Sequence, residues 1–183
     1  EARRIPELHL DYAYFRRDGD GGLVTMLVAK ARPSRALRAR VVPSKGAGYG
    51  EIVDRVHRGI RDMGIVAPCV YKCDNEPAIK TLREELMKRA GAGAVPQEPP
   101  VAESASNGIV ENGVKLQKGM LRVHLTALEG KLGGTIPAMH PVLAWLVEHV
   151  SDVTTKYLRG SDGRTAYERL YGKPVREEGL EFG

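Results

Sequence analysis

The chain has 183 residues, 42% hydrophobic and 28% charged, the balance of a globular domain large enough to bury its own core. Its 28 Lys and Arg against 23 Asp and Glu leave a formal net charge of +5, which favours polyanionic partners mildly. No apolar run reaches membrane-spanning length, and the two cysteines, Cys69 and Cys73, make neither a disulfide scaffold nor a complete Cys/His zinc site. With 5% aromatics, a base-stacking single-strand-binding surface is disfavoured. Starting at Glu1 without Met or signal peptide, the chain reads as a piece of something longer.

In chain order, residues 7–15 have strand composition, and the cluster Arg16-Arg-Asp-Gly-Asp-Gly-Gly22 marks a turn. Residues 23–29 are a continuous apolar run suited to a central strand, and 36–42 suit a third, so the three are expected as an antiparallel meander. Ile52, Val53, Val56, Ile60 and Met63 then recur at helical spacing, predicting a helix over 48–63 that Gly64 ends. Residues 66–73 return to strand character. Pro77 opens a helix with the stripe Ile79, Leu82, Leu86, stopped at Gly91. Residues 91–106, rich in Gly and Pro, read as a long loop, usually functional in a compact domain. A long helix over about 107–129 follows, weakened at Gly113 and Gly119 by about 1 kcal/mol each relative to Ala. Another is expected over 137–158, with Val142, Trp145, Leu146, His149 and Val150 inward, and the capping box Thr165-Ala-Tyr-Glu168 starts a last short helix.

Three acidic residues sit where chemistry is possible. Asp11 lies inside the first strand, where an unpaired charge is costly and no capping role explains it. Asp74 follows the fourth strand, and ligands gather beyond the carboxyl ends of strands in open α/β sheets. Glu111 lies in the first turn of the long helix. Two carboxylates on neighbouring strands and one on a helix can bridge two divalent ions about 3.5–4 Å apart. Taken singly, Asp74 with Asn75 also suits a turn or cap, and Glu111 also suits the positive end of a helix dipole.

On that helix Asn107, Glu111, Lys115, Lys118 and Arg122 fall near one line: a metal ligand followed by phosphate contacts, or a solvated face with a Glu-to-Lys pair. Two other stripes are apolar: Val110, Val114, Leu121, Leu125, Leu128, and Ile109, Leu116, Met120, Val123. One is expected against the sheet, the other under the next helix or a partner subunit. Cys69, Cys73 and Trp145 read as core, and His9 as a strand residue or a neighbour of the site. Arg3, Arg4, Arg16, Arg17, Arg32, Arg35, Arg38 and Arg40 read as solvated surface or a DNA footprint.

Four segments together resemble the catalytic core of a retroelement integrase, of the retroviral integrase and DDE-transposase superfamily: His9-Leu-Asp11 before a hairpin, Lys72-Cys-Asp74-Asn75, Ser106-Asn-Gly-Ile-Val-Glu111, and Asp162-Gly-Arg-Thr-Ala-Tyr-Glu-Arg-Leu-Tyr-Gly-Lys-Pro174. The 36 residues between Asp74 and Glu111 also suit the family. The resemblance implies an α/β fold: a ribonuclease-H-like mixed five-stranded sheet, an antiparallel meander plus parallel strands, flanked by helices. It implies Asp11, Asp74 and Glu111 as catalytic ligands of two Mg²⁺ or Mn²⁺ ions, with Asn107, Lys115, Lys118 and Arg122 on DNA. The implied reaction is 3′-end processing and strand transfer of element DNA into target DNA. Double-stranded DNA and a homo-oligomer are the implied partners, with no membrane, in the nucleus of a eukaryote and otherwise intracellular.

There are departures. Asp74-Asn75-Glu76-Pro77 replaces the family's Asp-Asn-Gly-x-Glu-Phe, and Glu103 in the loop rivals Glu111 as third ligand. Neither the zinc module nor the basic DNA-binding module that flank such cores is present in these residues. We expect residues 1–132 to form the catalytic core and 133–183 to complete it and begin a linker. The rival readings are a ribonuclease H or resolvase-type nuclease, and a non-catalytic DNA-binding domain descended from an element.

Overall fold

The computed structural model describes residues 5–17, 22–98 and 108–176. The elements are β1 (Glu7–Arg16), β2 (Leu23–Arg32), β3 (Leu37–Val41), α1 (Gly50–Asp62), β4 (Cys69–Cys73), α2 (Pro77–Ala90), β5 (Ala94–Gln97), α3 (Gly108–Leu132), α4 (Val142–Tyr157) and α5 (Ala166–Tyr171). One five-stranded sheet runs in the order β3-β2-β1-β4-β5. β1–β2 and β2–β3 are antiparallel, while β1–β4 and β4–β5 are parallel. The architecture is the expected α/β mixed sheet flanked by helices.

The sheet has a core on each face, which is why the stretch Met26–Ala29 of β2 is apolar at every position. Leu8, Leu10 and Leu27 pack with Val53, Ile60, Ile79 and Leu86 from α1 and α2. Phe15, Met26, Val28 and Leu37 pack with Leu121, Leu125, Leu146 and Val150 from α3 and α4. On β1 the period of two sends Leu8, Leu10 and Tyr12 to the first core and Ala13 and Phe15 to the second. His9 and Asp11 therefore share the α3 face.

Three expectations change. First, Ala94–Gln97, read as loop, is a strand parallel to β4. It has no alternation to detect, and Pro96 is tolerated because the strand lies at the edge. Second, Trp145, read as core, is 71% exposed, while its neighbour Leu146 is fully buried. Third, α4 starts at Val142, not 137, because Pro141 occupies the N-cap and biases His140 away from helical dihedrals. Cys69 and Cys73 are buried strand residues as expected.

The face that α3 turns inward includes residues that hydrophobic periodicity overlooks. Gly113 is buried with Val110 and Leu121. A Cβ there would come within 3.3 Å of Leu37 Cδ1 and 3.4 Å of Lys30 Cδ, so the missing side chain lets α3 lie close to the sheet. Gln117 is fully buried and donates Nε2–H to the Val147 carbonyl at 2.9 Å, tying α3 to α4. At the far end Arg17 pairs with Glu129 and donates to the Ile136 carbonyl. Of the second apolar stripe, Leu116 and Met120 pack against the core, but Val123 is 63% exposed.

At the sheet's other edge, Thr155 on α4 serves both outward backbone groups of Leu37: its Oγ1 accepts from the amide at 2.9 Å and donates to the carbonyl at 2.8 Å. Arg38 and Arg40 reach Asp152 and Glu148 on α4 at 2.8 and 3.0 Å. The capping box at α5 is complete: Thr165 Oγ1 accepts from the Glu168 amide at 3.0 Å, and Glu168 Oε2 from the Thr165 amide at 2.6 Å. Thr165→Ala is expected to cost about 1 kcal/mol, read as a lowered urea midpoint with unchanged slope.

Candidate active site

Register brings the first two carboxylates side by side. Leu10 pairs with Cys73 across the parallel β1–β4 ladder, so Asp11 and Asp74 are the next residues along each strand. Asp74 also accepts the Glu76 amide at 3.1 Å through Oδ1, an Asx turn that delivers the chain to Pro77 at the start of α2. Glu111 stands exposed in the first turn of α3, which packs across β1 and β2.

Asp11 registers this arrangement electrostatically. Burial, then the nearby Asp74, push its carboxyl up to about 6 from 3.8; Glu111 and Glu76 add to the rise, and a backbone hydrogen bond at Tyr12 opposes it. Between pH 3.8 and about 6 the folded state holds more protons than the unfolded one, so this group makes stability fall as pH rises through that window. In metal-free buffer Asp11→Asn is therefore expected to raise Tm above pH 6, by at most about 3 kcal/mol in stability, with the gain vanishing below the ordinary carboxylate pKa of 3.8. Calorimetry across that range checks it, and a gain that grew with acidification would refute the assigned environment.

Sequence reasoning missed a neighbouring group. Glu76 contributes to the field at Asp11 and is held by Lys45, whose Nζ lies 2.7 and 2.9 Å from its two oxygens. Lys45 also sits 5.4 and 5.0 Å from the ring centroids of Tyr12 and Tyr14. The Tyr12 hydroxyl accepts the Gly46 amide at 2.8 Å and fixes this turn beside β1. Only the position of Glu76 two residues after Asp74 hinted at it; Lys45 carried no sequence signal.

Among the described residues no three His, Cys, Asp or Glu side chains already converge on one point as a metal cage. Three like charges repel, as the raised Asp11 carboxyl records. Their donor set is nonetheless all oxygen, anionic and half-hydrated, which fits Mg²⁺ or Mn²⁺ with retained waters. A divalent cation would relieve the same repulsion.

Of the DNA-contact residues expected from sequence, Asn107 lies outside the described residues, as does the rival ligand Glu103. Lys115 and Arg122 are exposed on α3 and Lys118 is half-buried. Among the described residues none of the three has an ion-pair partner, so the Glu111–Lys115 helix pair is not formed. His9 is 2% exposed and shares Asp11's face. Its Nε2 meets Glu7 Oε2 at 3.2 Å, and Glu7 also holds Lys72 at 2.9 Å, while His9 Nδ1 has no partner. His57, His124, His140 and His149 form no metal site among the described residues.

No family model matches the chain, and no curated protein matches it in sequence. Solved structures do match. The catalytic core domain of BIV integrase superposes with a TM-score of 0.62 at 18% identity, covering 91% of this chain and 93% of that one. The dimeric form of the HTLV-2 integrase catalytic core, in complex with magnesium, gives 0.63 at 13% identity, covering 90% and 94%. The integrase chain of a simian T-cell lymphotropic virus intasome gives 0.62 at 16% identity over 97% of this chain, which spans 58% of that one. The fold is thus that of retroviral integrase catalytic cores, a ribonuclease-H-like sheet with its helices in place.

Proposed function

We propose that the chain is the catalytic core of a DNA-joining enzyme, a metal-dependent polynucleotidyl transferase that trims the 3′ ends of element DNA and joins them to target DNA. The observation that carries this reading is the adjacency of Asp11 and Asp74 across β1–β4, with Glu111 close enough to act on the Asp11 carboxyl. Asp11 lies on β1, Asp74 directly follows β4, the parallel neighbour of β1, and Glu111 lies on α3, which packs across β1 and β2.

In this reading Asp11, Asp74 and Glu111 would together hold the divalent metal. Metal bound there supplies activation of a water or 3′-hydroxyl and stabilises the departing oxygen of the phosphodiester. The protein's part is to hold the scissile phosphate against these carboxylates. Lys115, Lys118 and Arg122 along α3, with Asn107 before it, would position the flanking backbone. Lys45, by neutralising Glu76, keeps a fourth negative charge from repelling the DNA at the same place. We assign the working form to a homo-oligomer on double-stranded DNA, acting where chromosomal DNA is found.

The test incubates the purified chain with Mn²⁺, a DNA duplex bearing free 3′-hydroxyls, and supercoiled plasmid. Covalent joining of duplex to plasmid is the expected result. Cleavage of an RNA–DNA hybrid without joining would move the assignment to a nuclease of the same fold. Salt-dependent DNA binding with no calorimetric Mn²⁺ binding would move it to a non-catalytic domain.

A further inference from the structure

A second cluster of charge, of opposite sign, lies on the same face of the sheet as Asp11. Asp11 pairs with Val28 on β2, and Lys30 is two residues further along, on the side that α3 covers. The stem of Lys30 runs beneath α3 at Gly113. Two guanidinium groups lie close enough for their charge to act on it: Arg35 from the β2–β3 turn and Arg169 from α5. These two also converge on each other, since a Cβ placed on Gly160 would lie 3.0 Å from Arg35 Nη1 and 2.5 Å from Arg169 Nη2. Among the described residues one carboxylate answers the three cations: Asp162 accepts from Arg169 Nε at 3.1 Å and from its Nη2. Among the described residues neither Lys30 nor Arg35 has an ion-pair partner.

Folding accounts for Arg169, which pairs with Asp162 and donates to the Ser34 carbonyl at 3.5 Å, but the described residues give Lys30 and Arg35 no such partner. Burial first, and then the charges of Arg35 and Arg169, push the Lys30 ammonium down to about 8. Arg35 also has φ 65°, the one described non-glycine residue with positive φ. Its turn is closed by hydrogen bonds from the Arg35 amide to the Ala31 carbonyl at 3.0 Å and from the Ala31 amide to the Ala36 carbonyl at 2.9 Å. Gly or Asn would hold that dihedral more cheaply, by about 1 kcal/mol. A strained arginine whose guanidinium lies with that of Arg169 beside Gly160 calls for a functional reason.

We propose that Lys30, Arg35 and Arg169 form an anion site that grips a backbone phosphate of the DNA duplex whose reacting end lies at Asp11. The inference rests on the DNA-joining reading above and adds to it a contact off the α3 line. Two net positive charges at one point suit a phosphodiester, and the planar forks of the two arginines match its oxygens. Arg169 keeps Asp162 as a brace, while Lys30 and Arg35 supply the unneutralised charge.

The experiment titrates a fluorescently labelled DNA duplex with the full chain at several salt concentrations. Arg35→Asn removes the charge while suiting the left-handed turn, so its Tm should be unchanged or higher. Lys30→Met keeps the buried stem. Each is expected to reduce the slope of log affinity against log salt by about one, and to leave Mn²⁺ binding intact. Arg58→Asn on α1, across the sheet, is the control and should change the slope less. Unchanged slopes in both variants, or an equal loss in the Arg58 control, would overturn the site while leaving the DNA-joining reading standing. If inorganic phosphate stabilised the wild type but not Arg35→Asn, with DNA slopes unchanged, the site would take a free small anion and the proposal would also fall. A wild-type chain that bound no DNA would bring down both readings.

Discussion

Asp74→Asn should abolish metal-dependent strand transfer while leaving the fold unchanged. Replacing one of the proposed metal-holding carboxylates by an amide removes charge that would hold the metal, and the stabilisation lost is several kcal/mol. At 1.36 kcal/mol per decade, that is a rate loss of about 10³-fold or more. The structural duty of Asp74 survives, because an Asn carbonyl can still accept the Glu76 amide that Asp74 Oδ1 accepts at 3.1 Å. Joining assays beside thermal melts separate the two effects. A variant that melts normally and still joins DNA at the wild-type rate would remove Asp74 from the site.

The second large effect is a contrast between neighbours. Leu146→Ala deletes a fully buried side chain from the α3–α4 core and should cost about 2–5 kcal/mol. For a domain of this size that lowers Tm by about 5–20 °C. Trp145→Ala, one residue earlier, removes a larger side chain that is 71% exposed and should change stability by no more than about 0.5 kcal/mol. Equal losses at the two positions would mean that α4 is rotated relative to the packing described.

Trp145 also shows where sequence reasoning runs out. On α4 it lies nearly opposite the line of Leu143, Leu146, Val147, Val150 and Thr154 that faces the core, and periodicity set the inward face wrongly there because aromatic character carries no direction. The parts that read clearly had strong local causes: the two-faced burial of β2, Pro77 and Gly91 at the ends of α2, and a mid-strand Asp11 with no structural excuse. The parts that did not were tertiary. β5 is four residues with a proline, and it is a strand only because β4 offers it a ladder. Gly113 and Gln117 face the core for reasons of close approach and a single amide bond, which no hydrophobicity scale registers. At the site, Asp11, Asp74 and Glu111 could be picked out by element position, but the field between them, and the approach of Glu76 with Lys45, exist only once β1 and β4 are paired.

The two margins of the sheet bear on how this chain behaves in bulk. β5 ends one side with only four residues and a proline that offers no amide hydrogen. β3 ends the other with arginines drawn toward α4 and with the outward groups of Leu37 already taken by Thr155. A foreign strand finds a short, proline-bearing margin at β5 and a charged one with its Leu37 groups taken at β3, which discourages edge-to-edge aggregation. The same borders bear on storage: concentrated solutions should resist conversion into fibrils, and partial unfolding of α4, which strips Thr155 and the two carboxylates from β3, is the event that would expose the chain to it.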